Sequence, residues 1–155
     1  MRRIEHERGR AFAESVMDRC RYMTLAIANE AEAPYCVPLS PVRRGDCIYV
    51  HCALEGRKLA LMGDHPVVSM SFVGETQVPP GAFTIYYESV LAEGTATEVT
   101  DREEKVEALR LLCEKYCPED MARFEMVLDA WFSRTGIWRI TLEKVTSKCN
   151  FPHAQ

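Results

Sequence analysis

Two basic residues, Arg57 and Lys58, lie where a short helix is predicted to begin, directly after a turn that ends at Gly56. Cations are unfavourable there because the helix macrodipole already places partial positive charge at this end and normally attracts Asp or Glu. The first turn also offers free backbone N–H groups. The pattern therefore indicates a site for a phosphate or a carboxylate, although two solvated surface charges would give the same pattern.

His51 is the second candidate for chemistry, near the end of a predicted strand that immediately precedes this turn. Side chains alternate between the two faces of a strand. The face suited to a core holds Ile48, Val50 and Cys52, and the other face holds Cys47, Tyr49 and His51. At this position His51 could donate a proton or hold an anionic group, or it could be a hydrogen-bonded structural residue. His6, His65 and His153 have no comparable setting.

The seven cysteines form no Cys-x-x-Cys motif, so neither a zinc ribbon nor a thioredoxin-like site is indicated. Cys113 and Cys117 are four residues apart and could share one helix face, but no histidine accompanies them. We therefore expect no metal site, and we expect most of the cysteines to be small buried hydrophobic residues in a reducing compartment.

The composition describes one globular domain, residues 1–155, with a net charge of −4 and 47% hydrophobic residues. This charge does not favour a nucleic-acid partner. No segment reaches the roughly 20 apolar residues that span a bilayer, so no membrane association is expected. Glu5 and Glu7 interrupt the basic start and no apolar run follows, which argues against a signal peptide. The cytoplasm is the expected location.

The elements that must position these residues follow from hydrophobic periodicity. An N-terminal helix is predicted for 10–21, strands for 22–28, 35–39, 47–52 and 67–73, and one or two strands within 83–99. Turns are predicted for 41–46 and a long loop for 74–81. Pro38 inside a strand indicates an edge position, because proline cannot donate to the ladder.

From Thr100 the apolar residues recur at the spacing of a helix. A capping box at Thr100 and Glu103 predicts a helix that ends near Tyr116, and Pro118 fits the first position of another. The stripe in this second helix is predicted to be core or interface; it comprises Met121, Phe124, Leu128 and Trp131 or Phe132. A last strand is predicted for 137–145, with an irregular tail from Thr146.

Two motifs carry a resemblance to a known family. They are His-Cys-Ala-x-Glu-Gly-Arg-Lys-Leu from His51 to Leu59, and Pro-Tyr-Cys-Val-Pro-Leu from Pro34 to Leu39. With this spacing the chain, from about Cys20 to Lys148, resembles the pyridoxamine 5'-phosphate oxidase-related family of FMN-binding split β-barrels. Within that family it is most similar to the branch of 5-nitroimidazole resistance proteins.

The resemblance implies an α+β, mainly β fold: an antiparallel FMN-binding split β-barrel with appended helices. A small barrel fills its own interior with side chains, so a flavin must lie outside it. The resemblance places FMN at the interface of a homodimer with two equivalent sites. Its phosphate would lie at Arg57 and Lys58 and its ring near His51 and Cys52. Main-chain contacts would come from Val37, Pro38 and Leu39.

A further motif of the family, Gln-Val-Arg-x-Glu-Gly, corresponds to Ser89–Gly94 in this chain. Ser89 would then replace a Gln that contacts the flavin, and its hydroxyl could still hydrogen-bond the cofactor. Leu91 stands in place of the Arg, which disfavours pyridoxamine phosphate oxidase activity itself.

The resulting hypothesis is an FMN-dependent oxidoreductase that takes electrons from NAD(P)H and passes them to a small acceptor, such as a nitroimidazole or another nitro-aromatic. No Gly-x-Gly-x-x-Gly fingerprint is present, so the nicotinamide would visit the flavin only transiently. The alternatives are a flavin- or haem-binding protein of the same fold without turnover, and an oligomeric scaffold whose basic helix start contacts a partner.

Overall fold

A single antiparallel sheet forms the body of the protein. The computed structural model describes residues 4–30 and 32–152, and within them eight strands belong to this sheet. The strands are β1 (Glu7–Arg8), β2 (Met23–Ile27), β3 (Tyr35–Leu39), β4 (Pro41–Arg44), β5 (Cys47–Cys52), β6 (Val67–Gln77), β7 (Tyr86–Glu98) and β8 (Gly136–Cys149). The α-helices of the same residues are α1 (Arg10–Arg19), α2 (Arg57–Asp64), α3 (Arg102–Tyr116) and α4 (Phe124–Trp131).

The strand order is β3-β2-β6-β7-β8-β5-β4, with β1 added beside β8. The two ends of this order, β3 and β4, are consecutive in the chain and only Ser40 separates them. One extended segment therefore pairs with β2 through its first half and with β5 through its second half. This continuity brings the two edges of the sheet together, and the sheet curls into a split barrel with appended helices, as the sequence predicts.

Two apolar cores lie on opposite faces of β5. Ile48 and Val50 point into the barrel, where they are completely buried among residues of β2, β6, β7 and β8. Tyr49 points the other way and is buried beneath α3 with Ala108 and Leu112. The predicted division of this strand into two faces is confirmed, and α3 covers the outward face.

Polar contacts fix α3 against the barrel. The hydroxyl of Tyr49 donates to Glu104 at 2.8 Å, and the same carboxylate oxygen accepts from Arg139 at 2.8 Å. Burial and the neighbouring Glu104 raise the pKa of Tyr49 to about 12, so the phenol keeps the proton that it donates. At the other end of the helix, Lys115 and Tyr116 both donate to the carbonyl of Pro41 at 2.8 Å.

The helix boundaries differ from the prediction in two places. The N-cap of α3 is Asp101, whose carboxylate accepts from the amide of Glu104, so the capping position lies one residue after Thr100. Asp accepts this bond as readily as Thr, and only the backbone conformation decides between adjacent candidates. After Pro118 the chain forms a 3-10 segment as far as Arg123 before α4 begins.

The strand boundaries also correct several predictions. The predicted turn at 41–46 contains β4, and β6 continues to Gln77 through a bulge between Val73 and Thr76, so the loop starts later than 74. The tail predicted to be irregular from Thr146 remains in β8 as far as Cys149. It does so because it pairs with both β1 and β7, and neither partner is local in sequence.

Gly94 shows why the Glu-Gly pair of the family motif matters for the fold. A β-carbon at Gly94 would clash with the backbone carbonyl oxygen of Thr141, at a bulge where β7 crosses closely over β8. Only glycine allows this approach. This residue therefore has a structural role that needs no cofactor. In the described part of the chain, no helix combines the length and the apolar character that a membrane span requires.

Candidate functional site

The junction of β5 and α2 is an uncapped helix start with a positive charge. Gly56 precedes the helix with φ of 131°, a conformation that side-chain-bearing residues rarely adopt, and it provides no side-chain cap. No acidic residue lies in the first turn, which begins with Arg57 and Lys58. The helix start thus presents its dipole and two cations, and the one acidic residue of α2, Asp64, lies at the opposite end of the helix. We call Gly56, Arg57 and Lys58 the α2 corner.

The Arg57 side chain contacts the loop that joins β2 and β3 and the first residue of β3. Its guanidinium forms an ion pair with Glu32 and lies 5.3 Å from the centre of the Tyr35 ring. The Arg57 side chain is nevertheless 56% exposed and that of Glu32 is 64% exposed. An exposed pair of this kind contributes roughly 0 to 1 kcal/mol, so an incoming phosphate could displace Glu32 at little cost.

Lys58 faces the end of β5 and makes no ion pair within the described residues. Its positive charge acts on both His51 and Cys52. Partial burial lowers the pKa of His51, and the charge of Lys58 lowers it further. His51 is therefore mainly neutral at physiological pH, with one ring N–H donor and one ring acceptor. The α2 corner and the His51 side chain are thus electrostatic neighbours.

The three predicted residues of β3 lie on an edge strand. Among the described strands, β3 pairs only with β2, which confirms the edge position expected for Pro38. Val37 and Leu39 pack their side chains against the barrel core, while Pro38 faces outward. The outer backbone edge of β3 therefore has no strand partner in the described chain and can offer main-chain groups to a ligand.

Ser89 lies apart from the other predicted residues. It pairs with Val73 on β6. Tyr35, whose ring lies beside Arg57, belongs to a different row of paired residues across the sheet, and this row contains Gly94 on β7. Five residues of β7 separate the two rows, or about 17 Å along a strand. Within one chain the fold therefore groups Arg57, Lys58, His51 and Cys52, but it does not bring Ser89 to them.

A cavity of about 330 Å3 lies between α3 and α4, and His51 lines it. Its apolar walls include Leu109, Leu112 and Tyr116 from α3 and Phe124, Leu128 and Trp131 from α4. This site was not predicted from the sequence, although the apolar stripe that contains Phe124, Leu128 and Trp131 was. A stripe shows that one helix face is covered, but not that two covered faces leave a space between them.

The cysteines are all free thiols, but only Cys20 and Cys149 are buried, so the prediction that most of them are buried is wrong. Cys113 and Cys117 both line the cavity. Burial raises the pKa of Cys113, with a further contribution from Cys117, so this thiol stays protonated and poorly nucleophilic. Within residues 4–30 and 32–152, no three His, Cys, Asp or Glu side chains are grouped as metal ligands would be.

Comparison with known proteins agrees with this architecture. The family model described as pyridoxamine 5'-phosphate oxidase matches residues 10–148. A candidate 5-nitroimidazole antibiotic resistance protein from Bacteroides thetaiotaomicron is 19% identical with a TM-score of 0.74; the match covers 91% of this chain and 84% of that one. An FAD-binding protein from Mesorhizobium loti is 20% identical with a TM-score of 0.64 and coverages of 92% and 94%.

An FAD- and haem-binding protein from Mycobacterium smegmatis is also similar, at 17% identity and a TM-score of 0.77, with 92% of this chain and 71% of that chain covered. At these identities the likeness to solved structures establishes the fold. No curated protein is detectably similar in sequence. The family model spans nearly the whole chain, including β3, β5, the α2 corner and all of β8 but its last residue. The chain therefore belongs to the pyridoxamine 5'-phosphate oxidase family.

Proposed function

We propose that this protein is an FMN-dependent oxidoreductase that passes electrons from a reduced nicotinamide to a small acceptor, such as a nitroimidazole or another nitro-aromatic. The observation that carries the proposal is the α2 corner, an uncapped helix start with two cations next to the end of β5. Family membership and the fold shared with flavin-binding proteins and a candidate nitroimidazole resistance protein support it.

The residues of the α2 corner fit the phosphate of FMN. A phosphate monoester carries close to two negative charges, which match Arg57, Lys58 and the helix dipole. The ring system would lie against His51 and Cys52, with main-chain contacts from Val37, Pro38 and Leu39 at the unpaired edge of β3. When bound, a flavin supplies the redox chemistry, since it accepts a hydride and passes electrons to a second substrate.

His51 is the proposed catalytic residue. Its lowered pKa keeps the imidazole neutral, so it would position an acceptor through a hydrogen bond from its ring N–H more than through charge. Lys58 remains available for the anionic cofactor because no carboxylate of the described chain pairs with it.

A homodimer would complete the site. The outer face of the sheet carries an uncharged row that crosses five strands: Pro38, Thr24, Ser71, Leu91 and Thr146. Leu91 is 60% exposed on this row, and the neighbouring Tyr22 and Val73 are similarly exposed. Pairing two such faces about a two-fold axis would bury them, and it would allow Ser89 to approach the flavin held by the other subunit.

The alternative is a flavin- or haem-binding protein without turnover. The fold shared with an FAD- and haem-binding protein favours this possibility, since the imidazole of His51, which makes no hydrogen bond within the described chain, could ligate a haem iron. Absorbance of the purified protein separates the cases: flavin bands support the proposal, a Soret band supports haem, and a colourless protein that takes up neither contradicts both. Oxidation of NAD(P)H that accelerates on addition of a nitroimidazole would distinguish a reductase from a passive binder.

A further inference from the structure

The cavity between α3 and α4, which we call the α3–α4 cavity, differs from the α2 corner in having no Asp, Glu, Lys or Arg side chain in its lining. A charged group taken into it would lose its hydration without meeting an opposite charge in the lining itself, which is costly. At about 330 Å3 it is large enough for one small ring compound but lies at the lower end of ligand pockets. Its contents should therefore be small and uncharged.

The polar side chains of the cavity lining differ in whether they already have hydrogen-bond partners. Tyr116 and Thr135 are already engaged, since both hydroxyls hydrogen-bond to backbone carbonyls. Ser40 and His51 also line the cavity, and neither side chain makes a hydrogen bond within the described chain. A ligand would thus find its hydrogen-bonding partners where β3 passes into β4 and where β5 ends.

The side of the cavity formed by α4 is aromatic, and Lys105 holds its end at Phe132. Phe132 lies just after α4, and the ammonium of Lys105 is 4.2 Å from the centre of its ring. The same ammonium donates a hydrogen bond to the Phe132 carbonyl at 2.9 Å. Trp131 lines the cavity as well and is 57% exposed. Aromatic walls of this kind suit a flat ring, which can stack on them.

We propose that the α3–α4 cavity binds the uncharged aromatic body of the electron acceptor, with the polar edge of that molecule directed at His51 and Ser40. This inference rests on the proposed oxidoreductase function, and it names the substrate class as neutral, flat and small. His51 borders the cavity and is the electrostatic neighbour of Lys58, so acceptor and cofactor would meet at the end of β5.

The test compares nitrobenzene with 4-nitrobenzoate, which share a nitro-substituted ring and differ by one negative charge. Titration of the purified protein by calorimetry, with no electron donor present, measures binding without turnover. Nitrobenzene should bind at least ten times more tightly than 4-nitrobenzoate. Equal affinities, or tighter binding of the anion, would overturn the proposed selectivity.

Two tryptophan substitutions on α4 locate the binding site. Val127 lines the cavity and Met126, beside it, does not; they are 41% and 59% exposed. Val127→Trp should fill the cavity and weaken nitrobenzene binding at least tenfold, whereas Met126→Trp should leave it unchanged. In the wild-type protein, methyl NMR signals of Leu109 and Leu128 should shift on titration while those of Leu25 in the barrel core do not. This measurement needs no variant.

The outcomes separate this inference from the function on which it rests. Wild-type affinity in Val127→Trp, or unshifted methyl signals at Leu109 and Leu128, would refute the cavity as the acceptor site, even if the protein proved to be a flavin reductase. Binding that follows the predicted pattern in a protein that shows no flavin bands and takes up no added FMN would refute the reductase and leave the cavity as a site for neutral aromatic molecules.

Discussion

The α2 corner and the α3–α4 cavity both border the end of β5, but they differ in charge. The corner offers charge on a helix that buries only Met62, so its attraction depends on electrostatics and little on packing. The cavity offers no charge, and its wall is α3, which the Tyr49–Glu104–Arg139 contacts anchor to the barrel. Under the two proposals, one strand end serves a charged and a neutral ligand, because a different helix covers each of its sides.

The largest effect is expected when only the two positive charges of the α2 corner are removed. Arg57→Ala combined with Lys58→Ala should abolish retention of FMN, because each lost charge-assisted contact costs roughly 1.5–3 kcal/mol and together they weaken binding by about 10²- to 10⁴-fold. The ratio of flavin to protein absorbance after purification measures this. The cavity should keep its affinity for nitrobenzene.

A matched control removes two other exposed cations. Arg44 and Arg123 are both largely exposed, and neither lies near the α2 corner in the strand register or the helix order. Arg44→Ala with Arg123→Ala lowers the net charge equally and should retain flavin. If both double variants lost flavin equally, the general charge of the protein and not the corner would be responsible.

A smaller effect, on the free energy of unfolding, is expected from a substitution in the wall of the α3–α4 cavity. Leu128→Ala removes a buried side chain from the cavity wall and should lower the free energy of unfolding by roughly 2–3 kcal/mol, at the low end for such changes because one side of Leu128 already faces empty space. Urea denaturation measures it. Met126→Ala, on the exposed face of α4, should change stability by less than about 0.5 kcal/mol. Flavin retention should be the same in both variants.

Glu32→Gln tests whether the ion pair between Glu32 and Arg57 competes with FMN at the α2 corner. The substitution removes the carboxylate that occupies Arg57, and the pair contributes roughly 0 to 1 kcal/mol, so FMN should bind up to about fivefold more tightly. Fluorescence titration of the flavin-free protein with FMN would show the gain. Glu30→Gln removes the same charge from the same loop, but within the described residues Arg57 pairs with Glu32 and not with Glu30, so this variant should have a smaller effect. Weaker FMN binding by Glu32→Gln would mean that Glu32 orients Arg57 for the phosphate.

The sequence predicted the barrel strands and the α2 corner because both depend on local signals. Alternation of side chains identified β2, β3 and β5, and a basic pair after Gly56 identified the helix start. The continuation of β8 was missed because its partners, β1 and β7, are distant in the chain. The cavity was missed for a similar reason, since its volume depends on the angle at which α3 and α4 meet.

The smallest effect is expected in the pKa of His51, which lies between the α2 corner and the α3–α4 cavity. Burial lowers the pKa of this residue first and the charge of Lys58 second, so Lys58→Ala should raise the pKa because a neutral neighbour no longer opposes the imidazolium. Lys58→Arg keeps the charge and should leave the pKa low. NMR titration of the His51 ring protons in the flavin-free protein measures both. An unchanged pKa in Lys58→Ala would show that the corner and the cavity are electrostatically independent, and that burial alone keeps His51 neutral beside the acceptor.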